Sequence, residues 1–438
     1  MRKIKSYIFV LLLYSFTVSF AQNKKAYSLY DIIKIGLEKN FQIQLSQLTK
    51  ELQNKKLDEA KYVLLPNLKF NFIYTQLSEI IPFRISIPNQ QIEISPYIQH
   101  NYYTKISLQQ PIFTGFKISN SIATEKKNLE IADENFEKEK SELIYKIKLN
   151  YFSILKLKKN KTAINENIKL LKTKLNDIKN LIEEGLVLHS DSLKIKIQIS
   201  NLEIALLEIK NNISNLVLNL KFISGINENE TFEIDTTYVQ KKYEENSLDK
   251  CVELAKNNRS EIKNIQTKLE IDKLNEQTIT SNLFPQIFFF GNYYYSRPNN
   301  RIFPFEDKFN TTWDLGINFS YDINWNQIQN QIEQTKIQTQ TEYVNLKLIE
   351  NNIQLEITQL YMNLIYAKEK ISVAKTNLEL CEENSKIVNE KFRNGITLTS
   401  DLLESQTILY QAEVDYFNSI LDYEIANLKL EKSIGKNF

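Results

Sequence analysis

The 438-residue sequence predicts an elongated α+β fold built twice on one plan, with two long helical coiled-coil hairpins and four β-strands. Three observations carry that expectation: a tandem duplication, apolar residues at heptad spacing over dozens of positions, and short segments that alternate apolar and polar residues.

The duplication comes first because a repeat constrains every later assignment. Residues 28–74 align without gaps on 247–293: Ser28-Leu29 with Ser247-Leu248, Ile33 with Val252, Pro66 with Pro285, Phe70 with Phe289 and Tyr74 with Tyr293. Further along, Leu143 pairs with Ile353, Tyr151 with Tyr361, Gly185 with Gly395, Asp191 with Asp401 and Gly225 with Gly435. The offset between copies is nine residues smaller in this later part, as a trimmed loop in the second copy would make it. Each copy reads helix, strand, loop, strand, long helix, tight turn, long helix.

In the second copy, Ile353, Ile357, Leu360, Leu364, Ala367, Ile371, Ala374, Leu378, Cys381, Ser385, Val388 and Phe392 recur at spacings of four and three. The first copy runs in the same way from Leu143 through Ile154, Ile168 and Leu171 to Ile182, and its return helix from Ile195 to Ile223. Sustained a/d spacing implies coiled-coil packing. A helix over 120–184 would be roughly 95 Å long at about 1.5 Å per residue, too long for a compact domain.

Two short stretches interrupt these helices: EEGLVLHSDSLKIK (183–196) and RNGITLTSDLLESQ (393–406). The chain has only 8 Gly, so Gly185 and Gly395 stand out as residues able to end a helix. Ser190 or Asp191, and Ser400 or Asp401, are suited to cap the helix that follows. Each stretch reads as the tip of a hairpin, with Leu186 and Ile396 beside the bends.

The strands have a different character. Trp313, Leu315, Ile317, Phe319, Tyr321, Ile323 and Trp325 alternate with polar residues and Gly316; Leu68, Phe70, Phe72 and Tyr74 alternate mostly with polar ones, and 286–296 alternates poorly. Apolar-out, polar-in strands of about ten residues suit a membrane barrel with a wet lumen, while a half-buried soluble sheet is the plainer alternative. Four strands are too few to close a barrel, so oligomerisation is expected.

At the N-terminus, MRKIK precedes an apolar run and Val18-Ser19-Phe20-Ala21. This predicts a signal peptide over 1–21, since about 15 apolar-rich residues are short for a span. No other segment is long and apolar enough for a transmembrane helix, so a membrane protein of this sequence must be a barrel. Charge is nearly balanced, 55 Lys and Arg against 53 Asp and Glu, which argues against a nucleic-acid partner. Cys251 and Cys381 lie far apart in the plan and no bond between them is expected; Cys381 falls on a core position. His100 and His189 are too distant to share a metal. No nucleophile with its base, phosphate loop or ligand set is evident, so neither enzyme activity nor a cofactor is expected.

The expected boundaries are a first repeat over 22–225, with a strand pair at about 67–113 and a hairpin at about 118–225; a linker over 226–246; and a second repeat over 247–438, with a strand pair at about 286–325 and a hairpin at about 327–434. This plan resembles the TolC-like outer-membrane efflux channels over nearly the whole mature chain. SLQQPIFTGFK (107–117) is similar to the family's run from second strand into long helix, and FRNGITLTSDLLESQTILYQAEVDY (392–416) to its second tip and return helix.

The resemblance implies a homotrimer in the outer membrane of a Gram-negative bacterium. It would form a 12-stranded barrel continued by an α-helical periplasmic tunnel whose tips meet a periplasmic adaptor. An inner-membrane transporter of the RND, ABC or MFS type would drive export of small molecules. The same architecture serves protein secretion, and a periplasmic coiled-coil adaptor is a rival that two hairpins plus barrel-like strands disfavour. Asp401 matches the family aspartate of an acidic constriction at the periplasmic mouth, and Glu404 a second carboxylate one turn deeper. The alternative is an N-cap at Asp401 with Glu404 as its capping-box partner. Asp191 matches a residue that bonds a tyrosine of the other hairpin in the closed state. Phe392 stands in that tyrosine's place and Thr397 in that of an arginine, so closure would need another contact.

Overall fold

The computed structural model describes residues 26–79, 84–93, 98–237 and 246–436. The expected signal peptide, part of the linker and Phe438 lie outside them. A short strand β1 (Ala26–Tyr27) leads into α1 (Leu29–Lys39) and α2 (Phe41–Tyr62), then β2 (Asn67–Gln76), the small hairpin β3 (Arg84–Ile87) and β4 (Gln90–Glu93), and β5 (His100–Phe113). The first helical hairpin is α3 (Lys117–Glu183) and α4 (His189–Ser224), followed by β6 (Glu233–Ile234). The second copy contributes α5 (Leu248–Asn258), α6 (Ser260–Thr280), β7 (Gln286–Arg297), β8 (Asn310–Ser320), and the hairpin α7 (Trp325–Arg393) with α8 (Thr399–Ser433). With 67 and 69 residues, α3 and α7 each extend about 100 Å at about 1.5 Å per residue.

The two copies bury equivalent side chains. Ile32, Ile43, Leu143, Ile147 and Leu220 form one cluster; Cys251, Ile262, Ile353, Ile357 and Leu430, their counterparts in the duplication, form another. Ser28 and Ser247 each cap the first helix of their copy, accepting from the backbone N–H of Asp31 (3.2 Å) and Lys250 (3.3 Å). Both cysteines are free and buried. A parallel β1–β6 pair sits beside the first cluster.

One junction shows the same job done by different residues. Asn40 accepts from Gln42 and Ile43 N–H at the start of α2 and donates to the Ile223 carbonyl at 2.7 Å. Its counterpart Arg259 donates to the Ser433 carbonyl at 3.2 Å and adds ion pairs to Glu261 (3.1 Å) and Glu356 (3.2 Å). Arg259→Asn should therefore exchange two partly exposed ion pairs for an N-cap and leave stability within about 0.5 kcal/mol. Arg259→Ala loses both and should cost about 1–2 kcal/mol, read as a lower midpoint for loss of helical circular dichroism.

The four long strands form one antiparallel sheet in the order β2-β5-β7-β8. Its register sorts the side chains by face. Leu68, Leu108, Gly291 and Leu315 lie in one cross-strand row, and Phe70, Ile106, Tyr293 and Trp313 in the next. The opposite face carries Lys69, Ser107, Asn292 and Asp314, then Asn71, Lys105, Tyr294 and Thr312. The apolar face is well exposed along β8: Trp313, Leu315, Ile317 and Phe319 are 63–69% accessible.

Two expectations need correction. The last strand was expected to alternate as far as Trp325, but β8 ends at Ser320 and Trp325 is already the first residue of α7. Alternation of Tyr321 and Ile323 continued the pattern past the last ladder partner, Gln286 opposite Ser320. The first strand pair also encloses the β3–β4 hairpin, which no sequence signal had indicated. The strand expected at 286–296 is present despite its poor alternation and is paired on both sides; Phe288 and Phe290 share the polar face, where Phe290 packs over Gly316.

Candidate functional site

The helices are arranged as layers. In the hairpin half, α4 packs on α3, α3 on α8 and α8 on α7; in the half nearer the sheet the order is α2, α3, α6, α7. The long helices thus bring both tips to the end of the molecule away from the sheet.

The tips are built alike. Gly185 N–H donates to the Ile182 carbonyl (3.0 Å) and Leu186 N–H to Leu181 (2.9 Å); Gly395 N–H donates to Phe392 (3.0 Å) and Ile396 N–H to Lys391 (2.9 Å). These paired bonds close each helix with a left-handed residue, which Gly accepts at least cost. The φ values are +75° and +71°, and nothing lies within 4 Å of an added Cβ at either position. A side chain would meet no clash there, only backbone strain. Gly185→Val and Gly395→Val should each cost about 1–2 kcal/mol of local tip stability while leaving the sheet intact. Faster amide exchange confined to 181–191 or 391–401 would register it.

The capping assignment is corrected by the structure. The N-cap residues are Leu188 and Leu398, not the serines or aspartates. Asp191 and Asp401 sit three residues inside, and each carboxylate accepts from the N-cap N–H at 3.3 Å. Only this half of a capping box forms, because a leucine side chain accepts nothing in return. Glu404 is exposed and has no part in the cap. Ser400 lies beside Asp401 at 3.4 Å, and Ser190 is exposed next to Asp191.

Asp401 also accepts from the Thr397 hydroxyl at 2.5 Å. That bond, followed by the Leu398 N–H, holds its carboxyl below the usual carboxylate range. A folded-state pKa below the unfolded value of about 3.9 means the cap's contribution is complete above that pH and is lost as pH falls through the lower folded value. Protection of the Leu398 amide should therefore persist at neutral pH and fade only in strong acid.

Phe392 offers Asp191 no hydrogen-bond partner, and Asp191 pairs instead with Lys194 of its own hairpin at 3.0 Å. Phe392 packs with Leu403 and Tyr410 onto the first hairpin's core around Ile178 and Ile195. Lys174 and Asn389, 3.1 Å apart, add a polar link between the hairpins. Within the chain the tips are therefore joined mainly by apolar packing.

Sequence reasoning missed two features. The bends expose Leu188 and Leu398 as well as Leu186 and Ile396, all 68–73% accessible, making an apolar rim. The shared spacing of GLVLHSD and GITLTSD contains that signal. The second is a stripe of exposed apolar residues along α7: Val344, Leu348, Leu355, Met362, Val373 and Leu380. Most of its steps are seven residues, as on a second coiled-coil face. At the opposite side of the layers, α4 exposes Ile197, Ile204, Leu207 and Leu218, and α2 exposes Leu45, Leu48 and Leu52. No helix among the described residues is long and apolar enough to cross a membrane. No group of three or more His, Cys, Asp or Glu among them could hold a metal ion.

Long hairpins with paired tips and an antiparallel sheet with one apolar face define the class of TolC-like channel folds. The chain belongs to the outer membrane efflux protein family, which it matches over residues 37–226 and 251–436. It is a transport protein of the outer membrane, extending into the periplasm, and not an enzyme. No curated protein sequence matches it. Among solved structures, it is similar to the outer membrane protein VceC of Vibrio cholerae, with TM-score 0.78 and 13% identity over 93% of this chain and 96% of that one. The CusC channel matches with TM-score 0.78 and 11% identity, over 93% and 92%. The CmeC channel of Campylobacter jejuni matches with TM-score 0.75 and 16% identity, over 94% and 86%.

Proposed function

We propose that the protein is a passive exit duct for small molecules, assembled as a homotrimer in the outer membrane of a Gram-negative bacterium. One observation supports this above the rest: the chain is open along both flanks, in sheet and helices alike. Strands β2 and β8 are the unpaired edges of the sheet. Below them α2 and α4 form one flank and α7 the other, each with exposed apolar residues. Exposed strand edges and apolar stripes on both flanks call for a partner at each. Three copies joined flank to flank would give 12 strands closed into a barrel, with its apolar face toward lipid, and a continuous helical tunnel beneath.

In this assembly the tips converge at the periplasmic end. The rim of Leu186, Leu188, Ile396 and Leu398 would dock on a periplasmic adaptor, coupled to an RND, ABC or MFS transporter that supplies the driving force. Three pairs of Asp401 and Glu404 would ring the closed mouth and attract cations. Extraction with detergent as a heat-modifiable trimer that conducts in planar bilayers is the expected result; a monomer without conductance overturns the reading. Deletion of the gene, followed by a toxicity panel and comparison of secreted proteins, separates small-molecule export from protein secretion.

A further inference from the structure

We propose that the β7–β8 loop is a latched constriction at the outer mouth of the barrel, held against the lumenal face by Arg301. The inference rests on the trimeric barrel reading above, which makes the polar face of the sheet the lumenal one. The strand ends at Asn67, Phe113, Gln286 and Ser320 lie next to the helices, so the loop over residues 298–309 is at the far, extracellular end.

A strand facing an open aqueous lumen should expose its polar face. At the outer end of β7 the reverse holds: lumenal Tyr294 and Ser296 are buried, while Tyr293 and Tyr295 on the apolar face are exposed. The cover is the loop together with Tyr103 of β5, whose ring centre lies 6.0 Å from that of Tyr294. Asn299, only 2% accessible, donates to the Asn310 carbonyl (3.2 Å) and the Thr312 hydroxyl (3.3 Å), and accepts from Arg301 N–H at 3.0 Å. This turn aims Arg301 inward. Its guanidinium lies 4.0 Å from the centre of the Tyr294 ring and forms an ion pair with Asp314. Asp314 is oriented from its other side by Asn292 at 2.6 Å, and Lys105 approaches the same tyrosine ring at 5.5 Å.

The contacts suit a releasable latch. A planar guanidinium can stack on an aromatic face and bond a carboxylate at once, so one side chain fastens the loop. Farther along, Asp307 returns to Arg297 at 2.7 Å and Phe309 stacks on Tyr295 on the apolar face, anchoring the loop's other end at the rim. The loop therefore arches over the strand ends, with its first turn inside. A 12-stranded barrel with strand spacing of about 4.8 Å and tilt of about 40° is about 24 Å across between backbones. Three inward turns, each bearing an arginine, remove much of that bore. They make the outer mouth narrow, a second restriction in series with the acidic tips, while the Arg301 charge is balanced by Asp314.

Conductance alone would not report on this latch, because closed tips dominate the series resistance. Access from outside does. Asn67→Cys places a thiol on the lumenal face near the tunnel, while native Cys251 and Cys381 are buried. Intact cells are treated with maleimides of graded size. A small reagent should label the trimer readily and a bulky polyethylene-glycol maleimide slowly. Adding Arg301→Ala or Asp314→Asn should speed the bulky reagent about tenfold with little change for the small one, as pore diameter governs entry. Arg301→Asp combined with Asp314→Arg should restore slow labelling. Equal bulky-reagent rates in parent and both single variants, with normal trimer levels, overturn the latch. Failure of even the small reagent to label Asn67→Cys overturns the barrel reading and the latch with it.

Discussion

Leu315→Arg is expected to abolish accumulation of the trimer in the outer membrane. Leu315 is the middle residue of β8, points to the apolar face and lies in one row with Leu68, Leu108 and Gly291. On the barrel reading that row faces lipid near the membrane midplane. An arginine there costs about 2–4 kcal/mol in each chain and is present three times. Position decides the size of the effect. Phe319 faces the same way but lies one residue from the end of β8, close to the inner interface, so Phe319→Asp should impair insertion less. Asn318 is on the other face, opposite Phe288, and Asn318→Arg should be tolerated. Quantifying the heat-modifiable trimer band in membrane fractions tests all three. Normal trimer levels for Leu315→Arg would show that this face does not meet lipid.

Asp401→Asn combined with Glu404→Gln should remove cation block at the periplasmic end. The two residues are one turn apart at the start of α8, both exposed. Three chains would gather six carboxylates in a narrow mouth, a site for di- and trivalent ions. The half-blocking concentration in planar bilayers should rise about tenfold or more, a change of about 1.4 kcal/mol. The pH dependence of the block adds a second reading. Within one chain, the Thr397 hydroxyl and the Leu398 N–H hold Asp401 low, so block would survive to strongly acid pH. Crowding with five other carboxylates acts in the opposite direction and would move the loss of block upward. Wild-type block in the double variant would mean that Asp401 serves its cap and nothing more.

The duplication and the hairpins were legible because coiled-coil geometry is local and repetitive. Ile147, Ile154, Ile168 and Leu171 of α3 are buried where heptad spacing put them, and Gly185 and Gly395 adopt the left-handed conformation a helix end requires. The tips were less legible. Ser190, Asp191, Ser400 and Asp401 are all good N-cap residues, and composition could not show that Leu188 and Leu398 take the cap position while each aspartate reaches back from within the helix. That choice depends on the path of the backbone after the glycine.

By itself, the sequence determined the periodic features: which residues recur every three or four positions, which alternate, where the chain bends, and that all of this happens twice. These follow from the fixed rise and turn of helix and strand, so spacing alone encodes them. Only the tertiary structure decided the rest. It placed β2 beside β5 and β5 beside β7, joining the two copies into one sheet with open edges. It ended β8 at Ser320, where no ladder partner follows, and folded Arg301 back over Tyr294. It left apolar stripes uncovered on α7 and α4, at opposite sides of the helical layers. Such pairings join residues distant in the chain, and a local pattern of apolar and polar residues carries no record of which distant surface will meet it.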